Sequence, residues 1–279
     1  MRLDERLTDG NGVYFEGALI ETLQTPYQLI EVFDTPTLGR LMRIDGANMT
    51  SERDEFFYHE SLVHPVAIVH AAPRNVLIIG GGDGGSSEEV LKHPSVEHVV
   101  LAELDQGVIH LAKKYLHAVH RDVFANPKLD VRIVDGADFV KSTADRFDLI
   151  FLDLTDPVGP AAALYTQSFY ARLKQAMAPG GALVLHLGSP LYHPQRVAGC
   201  SADLRAVFAK VTPYFVHVPC YGGTWGFAVA SDTLSPCEIS VDEIELRLNA
   251  RNIADRLFYS GDIHHAMLVL PAYIKTLFG

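Results

Sequence analysis

Basic charge is scarce in this chain: 23 Lys and Arg residues stand against 34 Asp and Glu, a formal net charge of −11. Such a surplus of carboxylates argues against a broad phosphate-binding surface, so no nucleic-acid partner is expected, and it suits attraction of a polycationic substrate. Cysteine is scarce too. The three present, Cys200, Cys220 and Cys237, form no Cys-x-x-Cys pair, which argues against a disulfide framework or a zinc ribbon and fits a reducing cytoplasm. No apolar run reaches membrane-spanning length, and Met1 to Arg6 carry acids where an export signal has bases and then an apolar stretch. A cytoplasmic protein without a membrane partner is expected. Repeats, low-complexity tracts and Pro/Ser-rich linkers are also lacking, so domain limits must come from changes of pattern.

What is present is ordinary globular material. With 279 residues and 48% hydrophobic content, the chain can bury one large core or carry a main domain with a smaller one. The pattern changes near residue 60. Before it lie short β segments at 12–15, 18–22, 27–33 and 40–44, with turn signals at Asp9-Gly10 and Asp45-Gly46, which predict a small antiparallel unit over residues 1–60. Residues 51–70 have apolar positions at helical spacing, with a break or kink expected at Pro65.

From residue 61 to 279 one larger domain is expected. Strands at 75–79, 98–103, 129–134, 148–153 and 181–187 alternate with helices from 86 and at 105–116, 137–142, 166–177 and 200–210. Runs at 214–218 and 224–230 read as an antiparallel pair closing the sheet. The fold class is therefore α/β: a Rossmann-like, mostly parallel sheet with helices on both faces, as in class I methyltransferases, preceded by the small β unit. Ligands of such sheets bind at the carboxyl ends of the strands.

Acidic residues sit at four of those ends. The glycine-rich turn Gly80-Gly-Gly-Asp-Gly-Gly85 places Asp83 where a βαβ nucleotide site normally receives an anion; Gly80 and Gly82 give a ligand access to the backbone. Asp83 would repel an anion, so a nucleoside ligand with a cationic group at this point is implied. Ser86 or Ser87 is expected to cap the following helix. Glu103, about 20 residues on, is placed for a ribose diol. Asp135-Gly136 ends the third strand, well placed for an exocyclic adenine amine. Asp153 and Asp156 open a loop bearing proline and glycine at the mouth of the fourth strand. Carboxylates there need partners, either local amides or a cationic ligand.

Together with Glu52-Arg-Asp-Glu-Phe-Phe-Tyr-His-Glu60, Leu101-Ala-Glu-Leu-Asp105, Asp153-Leu-Thr-Asp-Pro-Val-Gly-Pro160, Pro219-Cys-Tyr-Gly-Gly-Thr-Trp-Gly-Phe227 and Leu268-Val-Leu-Pro-Ala-Tyr273, these motifs carry a resemblance over nearly the whole chain. It resembles the polyamine aminopropyltransferases of the spermidine synthase type. That family moves the aminopropyl group of decarboxylated S-adenosylmethionine to a primary amine, usually putrescine, and releases methylthioadenosine.

The resemblance implies a small-molecule diamine and a nucleoside sulfonium donor as partners, the donor being a co-substrate, with no other cofactor. It implies that Asp83 holds the donor's ammonium, Glu103 its ribose and Asp135 its adenine. Gln28, His59 and Pro160 complete the donor site. Asp153 is the implied catalytic carboxylate, with Tyr58 beside it. Asp156, His186, Tyr221 and Trp225 are expected around the acceptor together with Tyr58 and Asp153, the rings of Tyr58, Tyr221 and Trp225 forming a slot for its methylenes.

Some positions depart from the family pattern: Met49 stands at the end of Asp45-Gly-Ala-Asn-Met49, Ala162 replaces a glutamate, His186 a glutamine and Glu88 an arginine. No metal is expected, because His264-His265 and His117/His120 lack metal spacing with a supporting carboxylate. The exposed β unit makes a homodimer or homotetramer the expected assembly. Two other readings remain open from the residues: a methyltransferase on the same sheet, and a non-catalytic polyamine- or nucleoside-binding protein.

Overall fold

The computed structural model describes residues 1–157 and 159–278; the side chain of Pro160 lies outside the description, and with it the expected role of that residue. Six short strands come first: β1 (Arg2–Thr8), β2 (Asn11–Glu16), β3 (Ala18–Gln24), β4 (Leu29–Thr35), β5 (Gly39–Ile44) and β6 (Ala47–Ser51). They make two antiparallel sheets, β1 with β2 and β3-β4-β5-β6. The first and last of these strands were not expected. β1 is legible in retrospect: Leu3, Glu5 and Leu7 alternate with more exposed neighbours, the period of a half-buried strand.

Helix α1 (Glu55–Val69) joins this unit to the main sheet, and residue 60 lies inside it. The helix continues through Pro65. Proline removes the hydrogen bond to the carbonyl four residues back, at a cost of about 3 kcal/mol in a helix interior. That carbonyl belongs to Ser61, and the buried Tyr214 hydroxyl donates to it at 2.9 Å, so the group is satisfied from another element.

The main sheet runs through β7 (Asn75–Gly80), β8 (His98–Glu103), β9 (Leu129–Ile133), β10 (Phe147–Asp153), β11 (Met177–Gly188), β12 (Lys210–Val218) and β13 (Gly223–Ser231). Its order is β12-β13-β11-β10-β7-β8-β9, with the strands from β11 to β9 parallel and β13 antiparallel to both its neighbours. Val76, Ile78, Leu149, Phe151 and Val184 face one core, and Leu77, Ile79, Ile150, Leu152 and Leu185 the other. Both faces are covered, which is why these strands read as unbroken apolar runs. The chain leaves β7 in one direction along the sheet and returns on β10 at its other side. A crevice opens at that switch point, beyond Gly80 and Asp153.

The connecting helices are α2 (Gly85–Leu91), α3 (Gln106–Tyr115), α4 (His117–His120), α5 (Gly136–Ser142), α6 (Gln167–Ala176) and α7 (Pro194–Arg205). The last begins six residues earlier than expected, with Pro194 in its first turn, where a missing N–H costs nothing. Beyond β13 the sequence pattern gave no elements, yet α8 (Val241–Ala250), α9 (Gly261–Leu268) and α10 (Ala272–Lys275) follow. They are tied to α1 by polar contacts. Arg247 and Arg251 donate to the carbonyls of Ala67, Ile68, Val69, His70 and Ala71 at and beyond the end of α1, and the Glu60 carboxylate accepts from the amides of Leu257, Phe258 and Tyr259. Among the described residues no helix is long and apolar enough to cross a membrane.

Candidate active site

At the end of β7 the backbone turns through Gly80 (φ 81°) and Gly81 (φ 68°), a region closed to most side chains. A Cβ on Gly80 would overlap the carbonyl of Asp153, which accepts the Gly81 amide at 2.8 Å. The glycines thus serve the fit between two strand ends as well as ligand access. Helix α2 starts at Gly85 with Gly84 as its cap, so neither serine caps it. Ser86 instead donates its hydroxyl to Asp153 Oδ2 at 2.5 Å, and Ser87 is buried.

Asp83 lies with its Oδ1 accepting the Gly85 amide at 3.0 Å and its Oδ2 3.4 Å from His59 Nε2. Burial alone would raise this carboxyl, but His59 and the Gly85 amide more than offset it and hold Asp83 below its usual range. His59 moves the other way. Burial would lower it, yet Asp83 and Glu55 raise it well above the ordinary histidine value. Asp153 is pushed up by burial and by the neighbouring Asp83 charge. Its Oδ1 accepts the Tyr58 hydroxyl at 3.0 Å, and burial and Asp153 raise that phenol well above its ordinary value.

A cavity of about 150 Å³ runs from these residues along the strand ends, lined by Gly80, Gly82, Asp83, Glu103, Asp135 and Gly136 among others. Glu103 is buried, accepts the Asp105 amide at 2.8 Å, and is pushed by burial to about 7. Asp135 caps α5 through Oδ1, which takes the amides of Ala137 and Asp138. Gln28 lines the cavity but donates to Asp105, itself the cap of α3. Its amide is therefore held in place by the protein.

A second cavity of about 340 Å³ opens on the other side of Tyr58. Tyr58, Met49, Thr155 and Tyr221 line both. Tyr221 meets Tyr58 edge-on at 5.8 Å and Trp225 at 4.7 Å, and Trp225 stacks on His186 at 5.7 Å, so the expected aromatic slot is assembled from α1, β11, β13 and the turn before β13. His186 Nε2 lies 2.9 Å from the Leu154 carbonyl and 2.6 Å from the Tyr165 hydroxyl; the carbonyl only accepts, and the hydroxyl can give its own proton to the Thr155 carbonyl at 3.3 Å, an arrangement in which Nε2 carries the ring proton and donates to both. Nδ1 is then a bare acceptor with no partner in the protein. Burial lowers His186 to about 4.

Asp156 also lines this cavity, but Arg196 of α7 holds it at 2.8 Å. Burial would raise Asp156, and the arginine with its neighbours more than offsets that. Sequence reasoning missed this pairing because 40 residues separate a loop acid from a helix base with no local pattern. It missed Glu5 as well. Strand β1 brings Glu5 to the second cavity, where its carboxylate accepts the Asn48 amide at 3.0 Å and burial raises it to about 7.

The histidine-rich surface needs one correction. Asp122 supplies the carboxylate that the His117/His120 spacing seemed to lack, since one side-chain donor atom of each of the three lies within 4.8 Å of the others. These groups are already engaged: His117 pairs with Asp122 at 3.2 Å, and His120 Nδ1 accepts the Asp122 amide.

The site is thus a cavity at the switch point of a methyltransferase-like sheet, lined by Asp83, Glu103, Asp135 and Asp153, with Tyr58 shared between it and a second pocket that holds Tyr221, Trp225 and Asp156, a combination that suits a cationic ligand. The comparisons with known proteins agree. Residues 55–241 match the spermine/spermidine synthase domain. The polyamine aminopropyltransferase of Nitrosomonas europaea is 47% identical over 274 residues, covering 98% of this chain and 84% of its own, and polyamine aminopropyltransferase 1 of Pseudomonas aeruginosa is 36% identical over 277 residues, covering 99% and 96%. Two solved structures cover the whole chain at 32% identity: a spermidine synthase bound to the transition-state analogue AdoDATO (95% of its chain, TM-score 0.94) and the spermidine synthase of Thermotoga maritima (94%, TM-score 0.92). The chain belongs to the spermine/spermidine synthase family and is an enzyme of the polyamine aminopropyltransferase kind.

Proposed function

We propose that this enzyme transfers the aminopropyl group of decarboxylated S-adenosylmethionine to putrescine, giving spermidine and methylthioadenosine. The observation that carries the reading is that Tyr58 lines both cavities while its hydroxyl donates to Asp153, which lines the smaller one. A donor in the smaller cavity and an amine in the larger one meet beside Tyr58. Glu103 takes the ribose hydroxyls, Asp135 and Gly136 the adenine edge, and Asp83 and His59 the end of the aminopropyl chain; Gln28 completes that site. Asp156, His186, Tyr221 and Trp225 surround the acceptor.

The attacking amine is mostly an ammonium near neutral pH and has no lone pair to give. Asp153 accepts its proton, helped by a carboxyl affinity raised by burial. The nitrogen then forms a bond to the carbon beside the sulfonium as the C–S bond breaks, its electrons returning to sulfur to leave a neutral thioether. Tyr58 and Asp153 orient the nitrogen for in-line attack, and the sulfonium is already an activated leaving group.

Incubation with decarboxylated S-adenosylmethionine and a panel of putrescine, cadaverine, agmatine and spermidine, reading methylthioadenosine release, tests the reading. Fastest release with putrescine supports it. Release only with another amine overturns the acceptor, and methyl transfer from intact S-adenosylmethionine overturns the reaction. A homodimer or homotetramer belongs to the same proposal and is tested by light scattering in solution.

A further inference from the structure

Glu55 stands one helical turn before His59 on α1 and is buried, as is His59. Its Oε2 lies 2.8 Å from His59 Nδ1, while Nε2 of the same ring lies 3.4 Å from Asp83 Oδ2. An ionised carboxylate only accepts hydrogen bonds, so a ring with a carboxylate at each nitrogen carries a proton on both. The ring is also wedged in place. Gly85 passes so close that a Cβ there would overlap it.

We propose that Glu55 is a positioning residue for the transfer: it holds His59 as an imidazolium, which in turn keeps Asp83 an ionised, oriented carboxylate for the donor's ammonium. This rests on the donor site proposed above. The charges around the ring come from several elements. Glu55 is itself held by Arg121 at 3.2 Å, and Arg121 also reaches Glu88 of α2 at 2.8 Å. Side-chain atoms of His59, Asp83 and Asp153 lie within 4.8 Å of one another, Tyr58 stands edge-on at 5.3 Å, and His120 adds a weak contact of charge with Asp83. Two buried carboxylates this close would otherwise share a proton, and a protonated Asp83 cannot bind a cation well. The imidazolium removes that tendency, and Glu55 is the group that makes the imidazolium stable.

The chemistry of the site requires Glu55 in this role because His59 faces only one carboxylate of the ligand cavity directly. Asp83 by itself would be satisfied by a neutral ring protonated at Nε2. The second carboxylate, behind the ring and away from the ligand, is what demands the second proton.

The test is nitrogen-detected NMR of the histidine rings in the full-length protein, with His59→Gln identifying the His59 signals. At pH 8 the parent should show His59 doubly protonated, whereas Glu55→Gln should show it singly protonated. In the same variant the dissociation constant for decarboxylated S-adenosylmethionine should rise roughly tenfold, the effect of one lost charge-assisted contact, while the acceptor KM stays within about twofold. A parent ring that is neutral at pH 8 overturns the proposal. So does a variant that keeps its imidazolium, or one that changes both substrates alike. If Glu55→Gln fails to fold, the parent's ring state at pH 8 decides alone. The NMR result is independent of turnover, so an absence of aminopropyl transfer would overturn the proposed reaction and leave this charge assignment to stand or fall separately.

Discussion

The Tyr58 hydroxyl donates to Asp153 Oδ1 at 3.0 Å, joining helix α1 to the end of β10 across 95 residues of sequence. The other oxygen of the carboxylate accepts from Ser86 on α2. Asp153 is thus oriented by two hydroxyls while burial and Asp83 raise its proton affinity. A carboxylate held in this way has a fixed direction beside Tyr58, which lines both cavities, and on the proposed reading it serves as the base.

Asp153→Asn should therefore lower turnover by roughly a hundred- to ten-thousand-fold, the usual effect of losing an acid–base group. Donor affinity should stay within about twofold. Steady-state rates at saturating amine, with calorimetric titration of the donor, check both numbers. Turnover within threefold of the parent would remove Asp153 from the role of base.

Donor binding should release protons. Burial raises Glu103 to about 7, and hydroxyls donating to it would favour the ionised form. Its pKa falls on binding, so affinity increases as pH rises from about 6 through 7 and levels off above. Titrations at pH 7 in buffers of different ionisation enthalpy measure the release, and Glu103→Gln should abolish the Glu103 part of it.

Asp83 should separate decarboxylated S-adenosylmethionine from the intact molecule. A ligand carboxylate about 4 Å from Asp83, at an effective dielectric near 20, would cost on the order of 4 kcal/mol, about a thousandfold in affinity. The His59 imidazolium beside Asp83 offsets part of that repulsion, so a discrimination nearer a hundredfold is expected. Asp83→Asn should weaken the decarboxylated donor and narrow the gap. Equal affinity of the parent for both ligands would contradict the role given to Asp83.

His186 should read the acceptor without contributing a pH limb of its own. With its pKa lowered to about 4, it stays neutral across any practical assay range, and its unpartnered Nδ1 would accept from an amine N–H that reached it. His186→Gln keeps hydrogen-bonding capacity but changes its position and the stack on Trp225. The ranking of diamines by kcat/KM should change while donor affinity does not. An unchanged ranking would show that this side chain does not select the substrate.

Acid should destabilise the fold through Glu89. This fully buried carboxylate would be raised by burial, but His64 at 3.0 Å and Lys92 at 2.8 Å lower it to about 2. Its folded value lies below its unfolded one, so its contribution is complete above about 4.5 and is lost as pH falls toward 2. Glu88, raised to about 7 by burial and by Glu89, acts in the opposite sense between about 7 and 4.5. Thermal unfolding between pH 8 and 3 should show Glu89→Gln less stable than the parent at pH 7, with a smaller further loss on acidification below pH 5.

The sequence by itself determined the sheet and the ligand end of it. Runs such as Val76–Ile79 and Leu149–Leu152 are apolar without alternation because both faces of those strands are buried, and the acids that follow them fall at strand mouths by simple chain order. Asp83, Glu103, Asp135 and Asp153 were legible for that reason. Strand β1 was half legible, its alternation masked by charged residues, and Glu5 was lost with it. The helices after β13 were missed although Ser240 and Ser260 cap α8 and α9 and the buried Ile244 and Leu248 stand one turn apart; what the sequence does not encode is their place, held by hydrogen bonds from three amides to Glu60 and from Arg251 to carbonyls at the end of α1. Only the tertiary structure decided which polar groups face one another. Arg196 with Asp156, Ser86 with Asp153 and Gln28 with Asp105 join residues 40, 67 and 77 positions apart. Sequence spacing encodes neighbours along a strand or a helix; the charge state of a buried carboxylate depends on whichever group the fold brings within a few ångströms, and that distance exists only once the elements have packed.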